Sequence, residues 1–480
     1  MVGWQGIVVH TTGIKETALA EVLLSTVARL TEFFSSEQLE ARARCRGFVQ
    51  RASKITGKLF LALGTIGPWS EGKTALAQLA AKAAQVPAPV EVSPEASQQR
   101  MTARARAFLQ DMRQRAFAKL PQAPTVWEER LFAAFSAVHI ADSPGFALPD
   151  SWQDLFPGAG GSGAPAGAKI QLVWEYTRST FAPFALLPWH MPDNKYLDTV
   201  VGLAQRGAVF LFDPGSFKTA ALAQSAAARA YFLTRLNPQV TLYEAREGRL
   251  HELELARGLH PEPRPLVEKA ILLGARERVA ARLIAARVPE AVVNARRRKA
   301  RKAARKRGYT PSQAHLTLLA WTLFSTNVPG TGWTSEPVGK AYPLRGQVDL
   351  IFKSWKSYLP LATLPTKTKE PTLGYLYARR RLLLLNSALC PPLPARLWQT
   401  KHREVSLLKL VRPFQAGADQ WLQVLLQPAP DLRSFLHRAC ASAERLIAKA
   451  SRKRCTSAQL LRASLSRQND FIEFTEALAA

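Results

Sequence analysis

Cysteine is scarce in this chain: Cys45, Cys390, Cys440 and Cys455 lie far apart, with no Cys-x2-Cys pair. A disulfide framework and a cysteine zinc site are both excluded, and the four read as reduced thiols in a cytoplasm. Long hydrophobic runs are missing too. The longest, around Leu59–Trp69 and Leu382–Cys390, fall short of the ~18 residues a membrane span needs, so no membrane partner is expected. The first thirty residues lack the basic, apolar and small-residue sequence of a secretion signal. Acid is in short supply, with 36 Asp and Glu against 65 Lys and Arg, a formal charge of +29. An enzyme of small substrates has no need of that excess, whereas a polyanion does, because each cation that neutralises a phosphate releases a counterion. No internal repeat is present.

What is there divides into three stretches. Residues 1–125 are rich in Ala, Leu, Gln, Arg and Glu at helical spacing and read as a helical DNA-binding domain. Within it, Thr74–Ala84 reads as a helix, Pro87–Val92 as a turn, and Ser93 as the N-cap of a basic helix, with Pro94 first, running through Arg100 and Arg104. That is the outline of a helix-turn-helix reader, and equally of a plain helical hairpin. From 126 to 365 the texture changes to strands, at Phe135–Ala141, Lys169–Tyr176, Phe181–Leu187 and Ala208–Phe212. Helices are expected at Asp193–Arg206 and Phe217–Arg229. Three strands, a helix, then another strand and helix is the order of an α/β RNase H-like catalytic core. Residues 231–290 read as a β-rich insertion, and 291–310 as a basic segment: nine of the twelve positions from Arg296 to Arg307 are Lys or Arg. On a helix those charges point all round, so Arg296, Arg297, Arg298 and Lys299 are assigned to DNA phosphates rather than to a core. Residues 366–480 return to helices, with basic clusters at Arg379–Arg381 and Arg452–Arg454, and read as a domain for dimerisation or DNA contact.

The chemistry concentrates in the stretch from Tyr342 to Leu359. At ~100° per residue, Tyr342, Arg345, Asp349 and Lys356 share a ~60° stripe of a helix. Leu344, Val348, Ile351, Phe352, Trp355 and Leu359 form an apolar face beside it, so this helix can dock on a sheet with its polar edge at a cleft. A carboxylate between cations suits phosphoryl transfer, with Asp349 for a divalent metal and Arg345, Lys356 and the Tyr342 hydroxyl for phosphates. An intrahelical Arg345–Asp349 ion pair is the plainer reading. Two more acids complete the constellation: Asp142 follows the apolar run FSAVHIA, and Asp213 follows VFLF. Acids at the ends of adjacent strands can share metal ions, and a pair of them ~4 Å apart can activate a nucleophile and stabilise a leaving oxygen.

The stripe resembles the signature Tyr-x2-Arg-x3-Glu-x6-Lys of insertion-sequence transposases of the IS-four family, with Tyr342, Arg345 and Lys356 at its spacing. DSPGFALP at Asp142 and FLFDPGSF at Asp213 look like that family's first two acidic motifs, and GAKIQLVWEY, RRRKARK and YTPSQAHLTLLAW extend the likeness. The resemblance implies a DDE enzyme that cuts and joins double-stranded DNA at transposon ends and target. It also implies a homodimer in the synaptic complex, two Mg²⁺ (or Mn²⁺) ions on Asp142, Asp213 and Asp349, and a bacterial, cytoplasmic, nucleoid-associated location. In relatives that flip a base onto tryptophan, Trp321 is the matching residue, although it also reads as core. Three departures stand out. Asp349 replaces the family's Glu and is one methylene shorter, so a change to Glu is expected to raise activity. Gly346 replaces a Trp, and Pro214 and Ser216 differ after the second acid. These departures leave the expected fold and lineage unaffected and point to a weakly active or inactive copy.

Two other classes compete. Gly67–Thr74 (GPWSEGKT) matches the phosphate-loop pattern G-x4-G-K-[ST] of an ATPase. Against it, Glu71 would put a carboxylate in a phosphate nest, and Trp69 is bulky for a wrapping loop. The second class is a catalytically silent DNA-binding protein descended from a transposase.

Overall fold

The computed structural model describes residues 16–69, 75–119, 130–160, 163–177, 180–182, 185–260, 262–358, 373–378, 385, 406, 409, 411–427 and 431–447. Leu359, both late basic clusters and residues 70–74 of the phosphate-loop match lie outside them.

Among the described residues, those before 120 form helices alone, as their composition requires: Glu16–Phe33, Ser36–Cys45, Gly57–Thr65, Leu76–Ala84, Pro94–Gln99 and Ala103–Lys119. Ser93 caps Pro94–Gln99 by accepting from the Ala96 N–H, as expected. The basic helix does not run on through Arg104, however. It stops at Gln99, and a new helix starts at Ala103. No helix is long and apolar enough to cross a membrane.

The middle of the chain builds one twelve-stranded, mostly antiparallel sheet of an α/β protein. Its strands are β1 (Val138–Asp142), β2 (Gly145–Ala147), β3 (Gly167–Glu175), β4 (Thr180–Phe181), β5 (Ala185–Pro188), β6 (Val209–Phe212), β7 (Tyr231–Arg235), β8 (Leu242–Arg246), β9 (Arg249–Glu252), β10 (Leu266–Leu273), β11 (Val279–Arg287) and β12 (Trp321–Thr326). The order is β2-β3-β1-β6-β7-β12-β11-β10-β8-β9, with β4 and β5 also on β3. Three strands run parallel: β1 pairs with β6, and β6 with β7. Sequence grouped β7 with the insertion, but it is the neighbour of β6, and β12, read only as an apolar run, pairs with both β7 and β11. The expected helix Asp193–Arg206 shrinks to a 3-10 turn and Leu197–Val201, ending at Gly202.

Strand alternation sorts side chains onto two faces. Val138, Ile140, Val209 and Leu211 join a core that runs through Tyr342, Val348 and Trp355 and on into both terminal helical regions. Phe210, Phe212 and Val173 face the other way, against Leu197–Val201 and Thr219–Ala227. The C-terminal helices Arg412–Ala416 and Ala418–Leu426 close on the N-terminal ones, with Trp69 stacked on Phe414 at 6.4 Å and Lys82 paired with Asp419 at 2.5 Å.

Candidate active site

Asp142 ends β1, and Asp213 directly follows β6. Because these strands are parallel neighbours, both acids emerge at the same edge. Alternation puts them on the face of Ile140 and Leu211, which the Tyr342 helix covers.

That element opens with a 3-10 turn, Tyr342–Leu344, and continues as the α-helix Arg345–Tyr358. Its apolar face is buried as the wheel required: Leu344, Val348, Ile351, Phe352 and Trp355 all lie in the core. Trp355 meets Phe181 edge-on at 5.0 Å, and Tyr342 meets Phe324 at 5.4 Å. Docked this way, the helix hangs its polar edge over the two strand ends.

The result is convergence on a single cation. Arg345 Nη2 stands 3.4 Å from Asp142 Oδ2 and 3.3 Å from Asp213 Oδ1, and its Nη1 stands 3.2 Å from Asp349 Oδ2. The intrahelical pair expected as the plainer reading is therefore present, but as one arm of a three-armed clasp. Its guanidinium is 17% exposed, so these pairs are shielded more than surface pairs. Burial pushes the Asp142 pKa up to about 6 against the pull of Arg345, helped by a hydrogen bond to Asp349.

The other expected site residues separate. Tyr342 is buried, and its hydroxyl donates to the Phe212 carbonyl at 3.3 Å, bracing the residue before Asp213. Burial, then the Asp213 charge, pushes its pKa up to about 12. Lys356 is exposed on the same helix edge, about 10 Å beyond Asp349 at 1.5 Å per residue. Trp321 is 4% exposed at the start of β12, with the Arg287 guanidinium 5.7 Å from its ring centre.

The basic segment is the helix Glu290–Lys306, seated by buried Val293 and Ala304. Arg296 is turned inward, donating to the carbonyls of Trp321 at 3.1 Å and Leu319 at 3.4 Å, and burial lowers its pKa. Arg297 donates to the Leu316 carbonyl at 3.3 Å. Arg298 and Lys299 are exposed, as are Arg301, Lys302, Arg305, Lys306 and Arg307.

Sequence reading missed the network behind Asp142. The Ser143 hydroxyl and the ammonium of buried Lys169 both bond to Asp193, tying the residue after Asp142 to β3. The available signal was a lysine at an inward position of a strand buried along its whole length, since a buried cation needs a partner.

A family model described as "Transposase DDE domain" matches residues 134–386, more than half of the chain, and spans all three acids. The chain belongs to the DDE transposase family. Its relatives are similarly named: the transposase for insertion sequence element IS231B of Bacillus thuringiensis subsp. berliner is 25% identical over 427 residues, 83% of this chain and 87% of that protein. The transposase for insertion sequence element IS1151 of Clostridium perfringens is 25% identical over 401 residues, 79% of this chain and 83% of that one. A solved piggyBac transposase synaptic complex with hairpin DNA overlays at TM-score 0.43 and 8% identity, across 90% of this chain and 87% of that one, a distance at which the overlay decides nothing. For this DDE-family chain the phosphate-loop pattern loses its context. Gly67 follows the helix Gly57–Thr65 and not a strand, and a Cβ there would stand 2.5 Å from the Leu63 carbonyl oxygen. Trp69, 1% exposed, belongs to the core.

Proposed function

We propose that Asp142, Asp213 and Asp349 are the acidic triad of a metal-dependent transposase that cleaves and transfers DNA strands at the terminal inverted repeats of an insertion sequence. The observation that carries this is the meeting of three carboxylates, 207 positions apart at the extremes, on the guanidinium of Arg345. The strand order β3-β1-β6-β7, with β1, β6 and β7 parallel, supports an RNase H-like core.

The donor set fits Mg²⁺ or Mn²⁺, which take carboxylate oxygens. As they stand, no three acids among the described residues are close enough to hold an ion. Arg345 lies between them and pairs with all three. When bound to these acids, two divalent cations supply a nucleophile at neutral pH and stabilisation of the leaving oxygen. Asp142 and Asp213 give the rigid half of the site, since both sit on strand ends, and Asp349 brings the third carboxylate on the helix. Asp349, one methylene short of a glutamate, reaches Arg345 at 3.2 Å, and Asp349→Glu, expected to raise activity, tests whether that shortfall weakens the enzyme. Arg345 neutralises the three acids, and with cations held by those acids it would be available to a DNA phosphate. Lys356 and the exposed cations of Glu290–Lys306 carry the flanking backbone. Duplex DNA at the element's ends and target is the substrate, held by a homodimer.

Asp142→Ala and Asp213→Ala test this reading. Each abolishes Mg²⁺-dependent nicking of terminal-repeat DNA while duplex binding survives. Nicking that persisted in both would end the assignment.

A further inference from the structure

A cleft of about 620 Å³ opens in the N-terminal helical layer, between the Gly47–Ser53 loop and the start of the helix Ala103–Lys119. Three arginines, Arg51, Arg100 and Arg104, line it, and no acid does.

Its walls are set by local chemistry. Gly47, at φ +68°, ends the helix Ser36–Cys45. Its N–H bonds to the Arg44 carbonyl and the Phe48 N–H to the Ala43 carbonyl, both at 2.8 Å, the paired closure that a left-handed glycine permits. Phe48 is thereby driven into the core, stacked on Phe108 at 5.5 Å and against Phe60 at 4.4 Å. The loop after it is clamped to the very helix it faces. On the far wall the Thr102 hydroxyl accepts from the Ala105 N–H at 3.2 Å. Arg100 donates to the Ser53 hydroxyl across the cleft.

The charge is left unneutralised. Arg51 and Arg104 are exposed, and among the described residues neither has an ion pair. The acid nearest along that helix, Asp111, is taken by Arg46 at 2.5 Å and Arg42 at 3.7 Å. An open cleft whose only charged side chains are three arginines favours an anion with several acceptor oxygens.

We propose that this cleft, through Arg51, Arg100 and Arg104, seats a backbone phosphate of the duplex that the transposase holds. The proposal rests on the DNA-handling function argued above. It also replaces the sequence-level picture of Arg100 and Arg104 on one reading helix. The break at Gln99–Ala103 turns both onto the cleft, where they position the duplex without reading its sequence.

The test is fluorescence anisotropy of the full chain on two labelled duplexes, one with the terminal repeat and one of scrambled sequence, titrated with salt. Arg51→Ala/Arg104→Ala is expected to weaken both duplexes alike, by about 10-fold, the scale of one charge-assisted contact. The slope of log affinity against log salt should fall by ~0.9, one phosphate's counterions. Both side chains are exposed, so the melting temperature should hold, and Arg51→Lys/Arg104→Lys should retain the parent slope. An unchanged affinity and slope in the alanine variant overturns the proposal. So does a loss confined to the terminal repeat, which would mean sequence reading, or an ATP-induced thermal shift that the parent shows and the variant lacks, which would mean a free nucleotide site. Asp142→Ala run in parallel keeps the two claims apart: it should lose nicking and keep the parent slope.

Discussion

Arg345 holds Asp142 at 3.4 Å, so under the proposed function its guanidinium lies against an oxygen that a cation would take. On that reading metal and guanidinium would compete for the same oxygens. Arg345→Gln should bind Mn²⁺ more tightly than the parent without DNA, by about 10-fold, or roughly 1.4 kcal/mol, and should lose DNA nicking. Manganese titration followed by electron paramagnetic resonance reads the first effect; equal or weaker binding by the variant would refute the competition.

Asp142 gives the site a pH signature. Its folded pKa of about 6 lies above the ordinary carboxylate value of 3.8, so the folded chain holds the proton more tightly than the unfolded one. That contribution is complete below the ordinary value and disappears as pH rises through about 6, a loss of up to roughly 3 kcal/mol. Asp142→Asn has no such proton to lose. In EDTA, its melting temperature should climb relative to the parent between about pH 4 and about pH 7; a constant difference would contradict the shift.

Tyr342 separates bracing from phosphate binding. With its hydroxyl bonded to the Phe212 carbonyl, Tyr342→Phe should cost about 1 kcal/mol of stability in urea unfolding. The salt dependence of DNA binding should stay unchanged. A lower slope with unaltered stability would return the hydroxyl to the DNA.

Gly346 is exposed in the first turn of its helix, and a Cβ there meets nothing within 4 Å. Gly346→Ala should therefore stabilise the chain by about 0.5–1 kcal/mol, through helix propensity and a less disordered unfolded state. Thermal unfolding decides it: a lower melting temperature would mean the position needs glycine for a reason outside its own helix.

Much of the site was legible in the chain because local rules generate it. The period-3.6 pattern from Tyr342 onward gave the buried face, and the apolar runs ending at Asp142 and Asp213 gave two strand ends, since alternation and helical phase depend on neighbours in sequence. What periodicity could not give was pairing. Nothing near Tyr231 says that β7 lies beside β6, nor near Trp321 that β12 bridges β7 and β11, because a strand's partner is chosen by distant residues. The same holds for direction within a basic cluster: Arg296 looks like Arg298 in sequence, yet one is clasped to carbonyls at the start of β12 and the other faces water. Composition and spacing by themselves determined a cationic α/β protein with three acids and a docking helix. Only the tertiary structure decided that these acids close on Arg345, because that contact exists only once parallel strands and a packed helix hold remote segments within about 3.5 Å, the reach of a hydrogen bond.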